Sequence, residues 1–396
     1  MTPHATPVGG RLWTPSVQLL SGILGISLIV MLWRFVFGLG ATTALNDGYP
    51  LGLWIAFDVV TGTALACGGY GVAILVYVLN KGRYHPMVRP ALLTSALGYT
   101  LAAIGVNLDL GRWYLVWKVP LYFWHWNFNS ALLEVALCIM AYMVVLWIEL
   151  SPAFFEKFQD SPIEPLRRVS RAALPILEKA SLWIIALGLL LPTMHQSSLG
   201  TLMLLAGARL HPLWNTPILP LLFLISCVSM GYAMVVFESA FSSIAFKRTP
   251  EIKMLAGLAG AMVPILYVFA VLRFADLAWR GRVGLLFAGD GRSVLAALEF
   301  VLFLAPTVML ASRARRHDLG NLVRAAMVMM FAGALYRFDT YLVAFTPGAH
   351  WSYFPSVQEI LVTLGLVSVE LMAYILIVKT FPILAGHPAA AERQAV

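Results

Sequence analysis

The chain has 396 residues, of which 60% are hydrophobic and 12% are charged. Soluble domains are usually about 45–50% apolar and about 25% charged, so this composition excludes an ordinary soluble protein. It also excludes a disordered chain, because disorder requires low hydrophobicity and high charge. The net charge is +8, but the basic residues are scattered in short gaps between apolar runs. A nucleic-acid partner is therefore not predicted.

Ten apolar segments are each long enough, at about 20 residues, to cross a bilayer as a helix. The residues before the first segment are polar, and that segment is too long for a cleaved signal peptide. The sequence thus predicts an all-α polytopic membrane protein with about ten transmembrane helices, formed by one domain over residues 1–396. The predicted spans are 16–38, 51–79, 87–108, 125–150, 178–194, 216–245, 252–277, 292–313, 319–344 and 356–381.

A weak internal repeat relates two parts of the chain at a shift of about 160 residues. Tyr49-Pro50-Leu51 resembles His211-Pro212-Leu213, and Gly69-Tyr70 resembles Gly231-Tyr232. Because four helices separate the copies, both copies cross the membrane in the same direction, which predicts two parallel four-helix units plus a C-terminal helix pair. Chance similarity among apolar sequences is the alternative. The predicted units are 16–150, 178–313 and 319–381.

The basic residues also predict the orientation of the chain. Eighteen of the 27 Lys and Arg residues fall on the side that holds both termini, and six fall in the gaps on the other side. By the positive-inside rule, both termini are cytoplasmic, and the side with few charges faces the periplasm where the host has two membranes.

Ionisable residues inside the spans are the first functional candidates, because each is costly in lipid unless it is paired or hydrated. Asp58, Glu134, Arg337 and Glu370 are too deep to reach the interface easily, and an Arg–carboxylate bridge between helices is the alternative for them. Residues nearer the ends have simpler explanations. Arg34, Arg273 and Asp276 are expected to snorkel, and Glu149, Glu359 and Lys379 are expected at helix ends.

The depths of these residues predict a polar cluster in the outer half of the membrane. From this cluster a sparser trail of carboxylates leads toward the cytoplasm. Such a trail is typical of a proton path. The predicted proton-transfer residues are Glu134, Arg337, Asp339, Glu238 and Glu370.

The histidine and cysteine residues bear on cofactors. A membrane-bound haem b needs pairs of histidines facing each other across a bundle, and none of the eight histidines is predicted mid-membrane. The three cysteines are isolated, which does not fit a zinc or iron–sulfur site. The chain is therefore expected to hold no haem, no iron–sulfur cluster and no metal. The histidines are His4, His85, His125, His195, His211, His317, His350 and His387.

The predicted outer loops combine histidines with many aromatic residues, such as Trp113, Trp124 and Trp351. Most of these rings are typical of the aromatic belt at the lipid headgroups. Some of them are suited to line a flat apolar slot for a quinone ring. A neutral imidazole suits a carrier of two electrons and two protons, while an interfacial hydrogen bond is the alternative for each single histidine.

Several motifs resemble those of the NrfD/PsrC family of quinone-interacting membrane subunits. Within that family, the resemblance is nearest to the branch that serves quinone-linked uptake NiFe hydrogenases, and it extends from about Pro7 to Leu384. The motifs are Phe37 to Gly40, Tyr49 to Asp58, Ala66 to Gly69, Tyr84 to Pro90, Leu191 to Ser198, His211 to Trp214, Phe287 to Asp290 and Tyr353 to Pro355.

The resemblance implies a subunit of the bacterial inner membrane without a prosthetic group. Electrons would pass from the large and small subunits of a NiFe hydrogenase, through a periplasmic iron–sulfur ferredoxin-like subunit, to menaquinone or ubiquinone near the outer face. If the protons come from the cytoplasm, this transfer is coupled to the membrane potential, whereas proton uptake from the outer side leaves it electroneutral. The expected quinone-binding residues are Asp58, Asp109, Arg112, His125, Asn129, His195 and Gln196.

Two alternatives remain open at this stage. The same fold serves other quinone-linked oxidoreductases that contain a molybdoenzyme or a multihaem cytochrome. A secondary transporter would also have about ten spans, but transporters favour a midplane site between broken helices, whereas the polar cluster here is predicted near one face.

Overall fold

The computed structural model describes residues 5–384, and these residues form helices joined by loops. Ten of the described helices are long and apolar enough to cross a membrane, so the predicted all-α polytopic architecture is confirmed. Two histidines of the sequence analysis, His4 and His387, lie outside the described range. The helices are α1 (Pro15–Phe37), α2 (Trp54–Val78), α3 (Gly82–Asp109), α4 (Ala131–Phe158), α5 (Glu164–Leu204), α6 (Leu219–Ala245), α7 (Ile252–Trp279), α8 (Gly291–Met309), α9 (Leu319–Val343) and α10 (Val357–Thr380).

Most helices agree with the predicted spans to within a few residues, and the exceptions are α4 and α5. Helix α4 begins later than predicted because the Ser130 side chain accepts a hydrogen bond from the Leu133 N–H at 3.3 Å and caps the helix there. Helix α5 is longer than predicted at both ends. As a result, His195 and Gln196, expected after the fifth span, lie inside α5.

The loops differ in length on the two sides of the helices. We call one side the long-loop face; it carries segments 38–53, 110–130, 205–218, 280–290 and 344–356. The opposite side, the short-loop face, carries segments 79–81, 159–163, 246–251 and 310–318. The predicted periplasmic side corresponds to the long-loop face.

The helices pack as two bundles and a peripheral pair. Helices α2 to α5 form the first bundle, α6 to α9 form the second bundle, and α2 joins them by packing against α6 and α9. Helix α1 pairs with α10, which also lies against α2 and α3. These contacts run across the boundaries of the predicted units, so the division of the chain into those units stays a prediction.

The two bundles meet where α2 and α6 cross at small residues. The backbones touch because Gly231 lies directly against the Cys67 carbonyl group, and a Cβ atom at Gly68 would lie 2.8 Å from Val235 Cγ2. Small residues allow membrane helices to approach this closely. The motifs Gly69-Tyr70 and Gly231-Tyr232 flank this crossing.

Three helical stretches have the wider π-helical turn. They are Trp54–Thr61 and Ile74–Val78 in α2, and Asp339–Val343 at the end of α9. A π-helical turn changes the angular positions of side chains and releases backbone carbonyls from the regular ladder, and it is frequent at functional sites. In this chain the π-helical stretches contain Asp58 and Asp339.

Candidate functional site

The structure separates the residues expected to bind quinone into three groups, and their assignment to one site stays a prediction. One group lies where α2, α3 and α10 meet, one lies inside the first bundle, and one is exposed in the loop 110–130. In that order, the groups are Asp58 with Asp109, His195 with Gln196, and Arg112 with His125 and Asn129.

Asp58 is 8% exposed and faces α3 and α10. Its Oδ2 atom accepts a hydrogen bond from the Thr363 hydroxyl at 3.0 Å. On α3, a Cβ atom at Gly105 would lie 3.2 Å from Asp58 Cβ, so the glycine makes room for this carboxyl group. Asp109 follows one turn later on α3, where its buried Oδ1 atom has no hydrogen-bond partner among residues 5–384.

Two glutamates continue from Asp58 toward the short-loop face. Glu370 of α10 is an electrostatic neighbour of both Asp58 and Glu238. Glu238 of α6 accepts hydrogen bonds from the Thr94 and Tyr374 hydroxyls, each at 2.6 Å. We call Asp109, Asp58, Glu370 and Glu238 the carboxylate row.

Three members of the carboxylate row differ from ordinary buried acids because they lack basic partners. In the described part of the chain, none of Asp58, Glu370 and Glu238 forms an ion pair with Lys or Arg. Asp58 and Glu238 accept hydrogen bonds from neutral hydroxyl groups, whereas Asp109 has Arg34 as an electrostatic neighbour. A carboxyl group with neutral partners is able to exist in the protonated and the ionised form, which proton transfer requires.

The short-loop end of the carboxylate row opens into a polar cavity of about 50 Å³. A cavity of this size has room for water, since one water needs about 10–15 Å³ by this measure. Burial raises the pKa of Glu251 above its ordinary value, and the nearby Arg248 guanidinium offsets only part of this rise. The cavity lining includes Glu238, Ser242, Ser243, Arg248, Thr249 and Glu251.

His195 and Gln196 are fully buried inside the first bundle. The Thr63 hydroxyl donates to the Val59 carbonyl at 2.6 Å. Its oxygen accepts the Gln196 Nε2–H at 3.0 Å and lies 3.1 Å from His195 Nε2. Since the hydroxyl hydrogen is already used, this geometry assigns the imidazole hydrogen to Nε2. His195 Nδ1 is then a buried acceptor, and it has no hydrogen-bond partner in the described residues.

Arg337 of α9 holds this arrangement from the side of the second bundle. It is completely buried, and its Nη2 atom donates to Gln196 Oε1 at 3.1 Å. An arginine has five N–H groups, and these have five neutral acceptors. The acceptors are Val60 O, Ser226 Oγ, Met230 Sδ, Gln196 Oε1 and Phe223 O.

This environment disfavours the alternative of an Arg–carboxylate bridge for Arg337. It forms no such bridge within residues 5–384, and all five of its N–H groups have acceptors. Its role in proton transfer stays a prediction, and the contact that the structure gives it orients the Gln196 amide. That amide in turn donates to Thr63, the partner of His195.

Aromatic rings surround His195 on the side of α3 and α4. The Tyr99 ring meets the imidazole edge to face at 5.7 Å, and Tyr142 packs on Tyr99 at 4.5 Å. Glu134 lies near the start of α4 and is half-buried. Sequence reasoning missed Thr63, Tyr99 and Tyr142, although hydroxyl groups within otherwise apolar spans are a usable signal.

The third group of predicted residues is at the surface. Arg112, His125 and Asn129 are exposed in the loop 110–130 on the long-loop face. His125 stacks on Tyr122 with ring centroids 6.2 Å apart, and Lys118 lies over the same ring. These residues are placed to contact a partner or the lipid headgroups rather than the interior groups.

Two arginines that were expected to snorkel are instead buried, which corrects that expectation. Arg34 donates to the Leu108 carbonyl at 2.6 Å and to the Leu110 carbonyl at 2.5 Å, which satisfies groups at the C-terminal end of α3. Arg273 lies 2.5 Å from Glu299 in an ion pair between α7 and α8. Asp276, by contrast, pairs with Arg280 near the helix end.

Glu299 and Arg273 form a second buried charge cluster together with Asp339. Glu299 Oε1 accepts the Trp214 Nε1–H at 3.1 Å, and the Asp339 carboxyl group faces Glu299. We call Arg273, Glu299 and Asp339 the buried triad. Asp339, predicted as a proton-transfer residue, is therefore in the second bundle and not in the carboxylate row.

The donor set does not fit a haem held by two histidines. Among the described residues, His195 is the fully buried histidine, and its Nε2 atom is already bonded to Thr63. No second histidine faces it, since the other described histidines are exposed or half-buried in loops and helix ends. Over residues 5–384 there is also no group of three or more His, Cys, Asp or Glu that could hold a metal ion.

Comparisons with known proteins agree with this architecture. The chain is 40% identical to the "Probable Ni/Fe-hydrogenase 2 b-type cytochrome subunit" of Escherichia coli (strain K12), over 97% of this chain and 96% of the relative. It is 30% identical to the "Menaquinone reductase, integral membrane subunit" of Nitratidesulfovibrio vulgaris (strain Hildenborough), over 71% of this chain and 69% of the relative. The model of the family described as "Polysulphide reductase, NrfD" matches residues 42–286. The chain therefore belongs to the NrfD family of membrane proteins.

Proposed function

We propose that this chain is the membrane subunit of a bacterial hydrogenase complex and that it carries the site where a quinone is reduced. The printed names of its relatives, a hydrogenase subunit and a menaquinone reductase subunit, support this assignment. Two electrons arrive from an iron–sulfur subunit bound at the long-loop face. With two protons, they convert one menaquinone or ubiquinone into the quinol.

The observation that carries the proposal is the free Nδ1 atom of His195. The network of Thr63, Gln196 and Arg337 fixes the hydrogen on Nε2, so Nδ1 presents a lone pair inside the first bundle. A quinol hydroxyl group donates hydrogen bonds, whereas a quinone carbonyl only accepts them. His195 therefore favours the reduced ligand, and this differential binding favours reduction at the site.

The carboxylate row supplies the protons in this proposal. It leads from the polar cavity beside Glu238, through Glu370, to Asp58 on the α2 helix that also carries Thr63. Because electrons arrive at the long-loop face and protons at the short-loop face, each turnover moves charge across the membrane. Such movement is coupled to the membrane potential at about 2.3 kcal/mol per charge per 100 mV.

The exposed loop 110–130 is the proposed contact with the iron–sulfur subunit. It presents Arg112, His125 and Asn129 together with several exposed rings at the long-loop face. Electrons would then enter on the side of His195 and Asp58. The same proposal places both termini in the cytoplasm and the chain in the bacterial inner membrane, as the distribution of basic residues predicts.

The complex purified from native membranes tests the proposal. Hydrogen-dependent reduction of a soluble quinone analogue is measured beside reduction of a dye that accepts electrons at the hydrogenase subunit. We expect His195→Ala to lower quinone reduction by about 100-fold, the low end for loss of a positioned acid–base group, with dye reduction unchanged. His211→Ala, at a half-buried histidine of the long-loop face, is the matched control.

Two results would contradict the proposal. Quinone reduction that survives His195→Ala would remove His195 from the site. Co-purification of a molybdoenzyme or a multihaem cytochrome instead of NiFe hydrogenase subunits would assign the chain to another quinone-linked complex.

A further inference from the structure

The second bundle contains a charge cluster that the proposed quinone reaction does not use. The buried triad brings together Arg273 of α7, Glu299 of α8 and Asp339 of α9, and the exposed fractions of the three are 2%, 0% and 2%. Three helices thus converge on these charges. A cluster this deep requires an explanation, because buried charges are costly unless they are balanced.

The triad has two acids for one base. Arg273 balances Glu299 through the contact of 2.5 Å, but the described residues contain no second basic group bonded to Asp339. Arg337, two residues earlier on α9, donates instead to groups of α2, α5 and α6. Two adjacent buried carboxyl groups cannot both ionise cheaply beside one guanidinium.

The other polar groups around the triad do not change this balance. Tyr336 places its ring 4.7 Å from the Arg273 guanidinium, and Trp214 donates to Glu299. Asp276, the next acid along α7, is neutralised by Arg280 at 2.5 Å. The triad is therefore a separate unit with one more acid than base.

Four buried polar atoms of the triad have no hydrogen-bond partner among the described residues. They are Arg273 Nη1 and Nη2, Glu299 Oε2 and Asp339 Oδ2, so the contact between Arg273 Nη2 and Glu299 Oε2 is an ion pair by distance without hydrogen-bond geometry. Nearly all buried polar atoms in proteins are satisfied by protein or by ordered water. Asp339 begins the π-helical turn of α9, and its carboxyl group interacts with Glu299 and Arg273.

We propose that Arg273, Glu299 and Asp339 form a hydrated proton-binding site, in which the Glu299 and Asp339 carboxyl groups share one proton. The site exchanges this proton with the long-loop face, where α7 ends at Trp279 and where Trp214 enters from the loop 205–218. It is distinct from the carboxylate row, and it does not depend on quinone binding.

Infrared spectroscopy of the full chain in lipid nanodiscs, without hydrogen or quinone, tests this proposal. A protonated carboxyl group has a C=O stretching band that a carboxylate lacks, and the band shifts in D₂O after exchange. We expect the spectrum to lose one such band in Asp339→Asn and also in Glu299→Gln. In either variant the remaining carboxyl group is free to ionise beside Arg273. Asp276→Asn, which alters the acid of the half-buried pair with Arg280, is the matched control and should keep the band.

Each other outcome overturns the proposal. Retention of the band in Asp339→Asn shows that the triad holds no proton. Loss in Asp339→Asn but retention in Glu299→Gln shows that Asp339 alone is protonated, without sharing. A band that does not shift after transfer to D₂O excludes exchange with water. The infrared measurement does not involve quinone reduction. A failure of the proposed quinone function would therefore leave this result unchanged.

Discussion

The carboxylate row and the buried triad contain the same kind of acid at similar burial, but they differ in their partners. Glu238 and Asp58 accept hydrogen bonds from hydroxyl groups, whereas Glu299 is paired with Arg273. A neutral partner tolerates both forms of the carboxyl group, while one guanidinium beside two carboxyl groups balances only one negative charge. The row is therefore suited to pass protons along its length, and the triad is suited to hold one in place.

Arg337 is a third kind of buried charge in this comparison, because it is a cation with no carboxylate partner among the described residues. Its charge is spread over neutral acceptors of α2, α5 and α6, and it packs against the Phe223 ring at 4.9 Å. A guanidinium does not lose its proton in proteins. Arg337 thus contributes a fixed positive charge between the two regions and joins the first bundle to the second.

The largest expected effect comes from breaking the ion pair of the triad. Arg273→Met leaves Glu299 buried without its cation, and removal of one partner from a buried pair typically costs about 3–5 kcal/mol. We expect a marked loss of thermal stability in detergent, measured by the fraction of monodisperse protein that remains after heating.

The control for this prediction is a variant of the carboxylate row. Glu370→Gln removes an acid that has no basic partner, so its thermal stability should change much less. A double variant, Arg273→Met with Glu299→Leu, should recover most of the loss, since no charge is then left unpaired. Equal stability of Arg273→Met and Glu370→Gln would contradict the claim that an ion pair stabilises the buried triad but not the carboxylate row.

The next effect concerns proton supply through the row. Glu238→Gln preserves the size and shape of the side chain, but the amide cannot release a proton. Hydrogen-driven quinone reduction should therefore fall by about tenfold or more. Glu156→Gln is the matched control, because Glu156 forms a half-exposed pair with Arg89 at the short-loop end of α3. The measurement is quinone reduction in proteoliposomes, with the internal and external pH followed by dyes. Full activity of Glu238→Gln would exclude the row as the proton source.

The sequence predicted the helices better than it predicted the partners of the buried charges. Span lengths follow from local hydropathy, and all ten spans were found on that basis alone. The extension of α5 past His195 was missed because residues 195–201, apart from Leu199, are polar or small. The directions of the side chains along α2 could not be derived from the sequence, because its π-helical stretches depart from the regular helical period.

The pairing of charges depends on contacts between distant segments. Arg273 and Glu299 lie on different helices, so neither residue alone shows whether it is bridged or reaches the interface. The same holds for Arg337, whose neutral acceptors come from α2, α5 and α6. The depth of most ionisable groups was predictable from their position in a span, but their partners were not. Glu134, predicted deep in its span, lies instead in the first turn of α4, because the helix begins later than predicted.

A smaller effect is expected from the hydroxyl partner of Asp58. Thr363→Val preserves the side-chain shape and removes the hydrogen bond of 3.0 Å to Asp58. The loss of one such bond is worth about 1 kcal/mol, which corresponds to about fivefold in rate. We expect kcat for quinone reduction to change, because the bond acts on the protonation of Asp58. Thr380→Val, which removes an exposed hydroxyl of the same helix, is the control. A change of KM alone would indicate that Thr363 contacts the ligand.

The smallest effect separates the surface group from the interior groups. His125 is exposed and stacks on Tyr122, so His125→Ala should change stability by less than about 0.5 kcal/mol. Quinone reduction at saturating hydrogen should stay within about twofold, because the imidazole makes no contact with His195 or Asp58. Arg112→Ala should mainly increase the sensitivity of complex formation to salt, as expected for a charge at the rim of an interface. If His125→Ala instead abolished quinone reduction while dye reduction continued, the loop would have to fold over the first bundle during turnover. The three groups would then act as the single site that the sequence predicted.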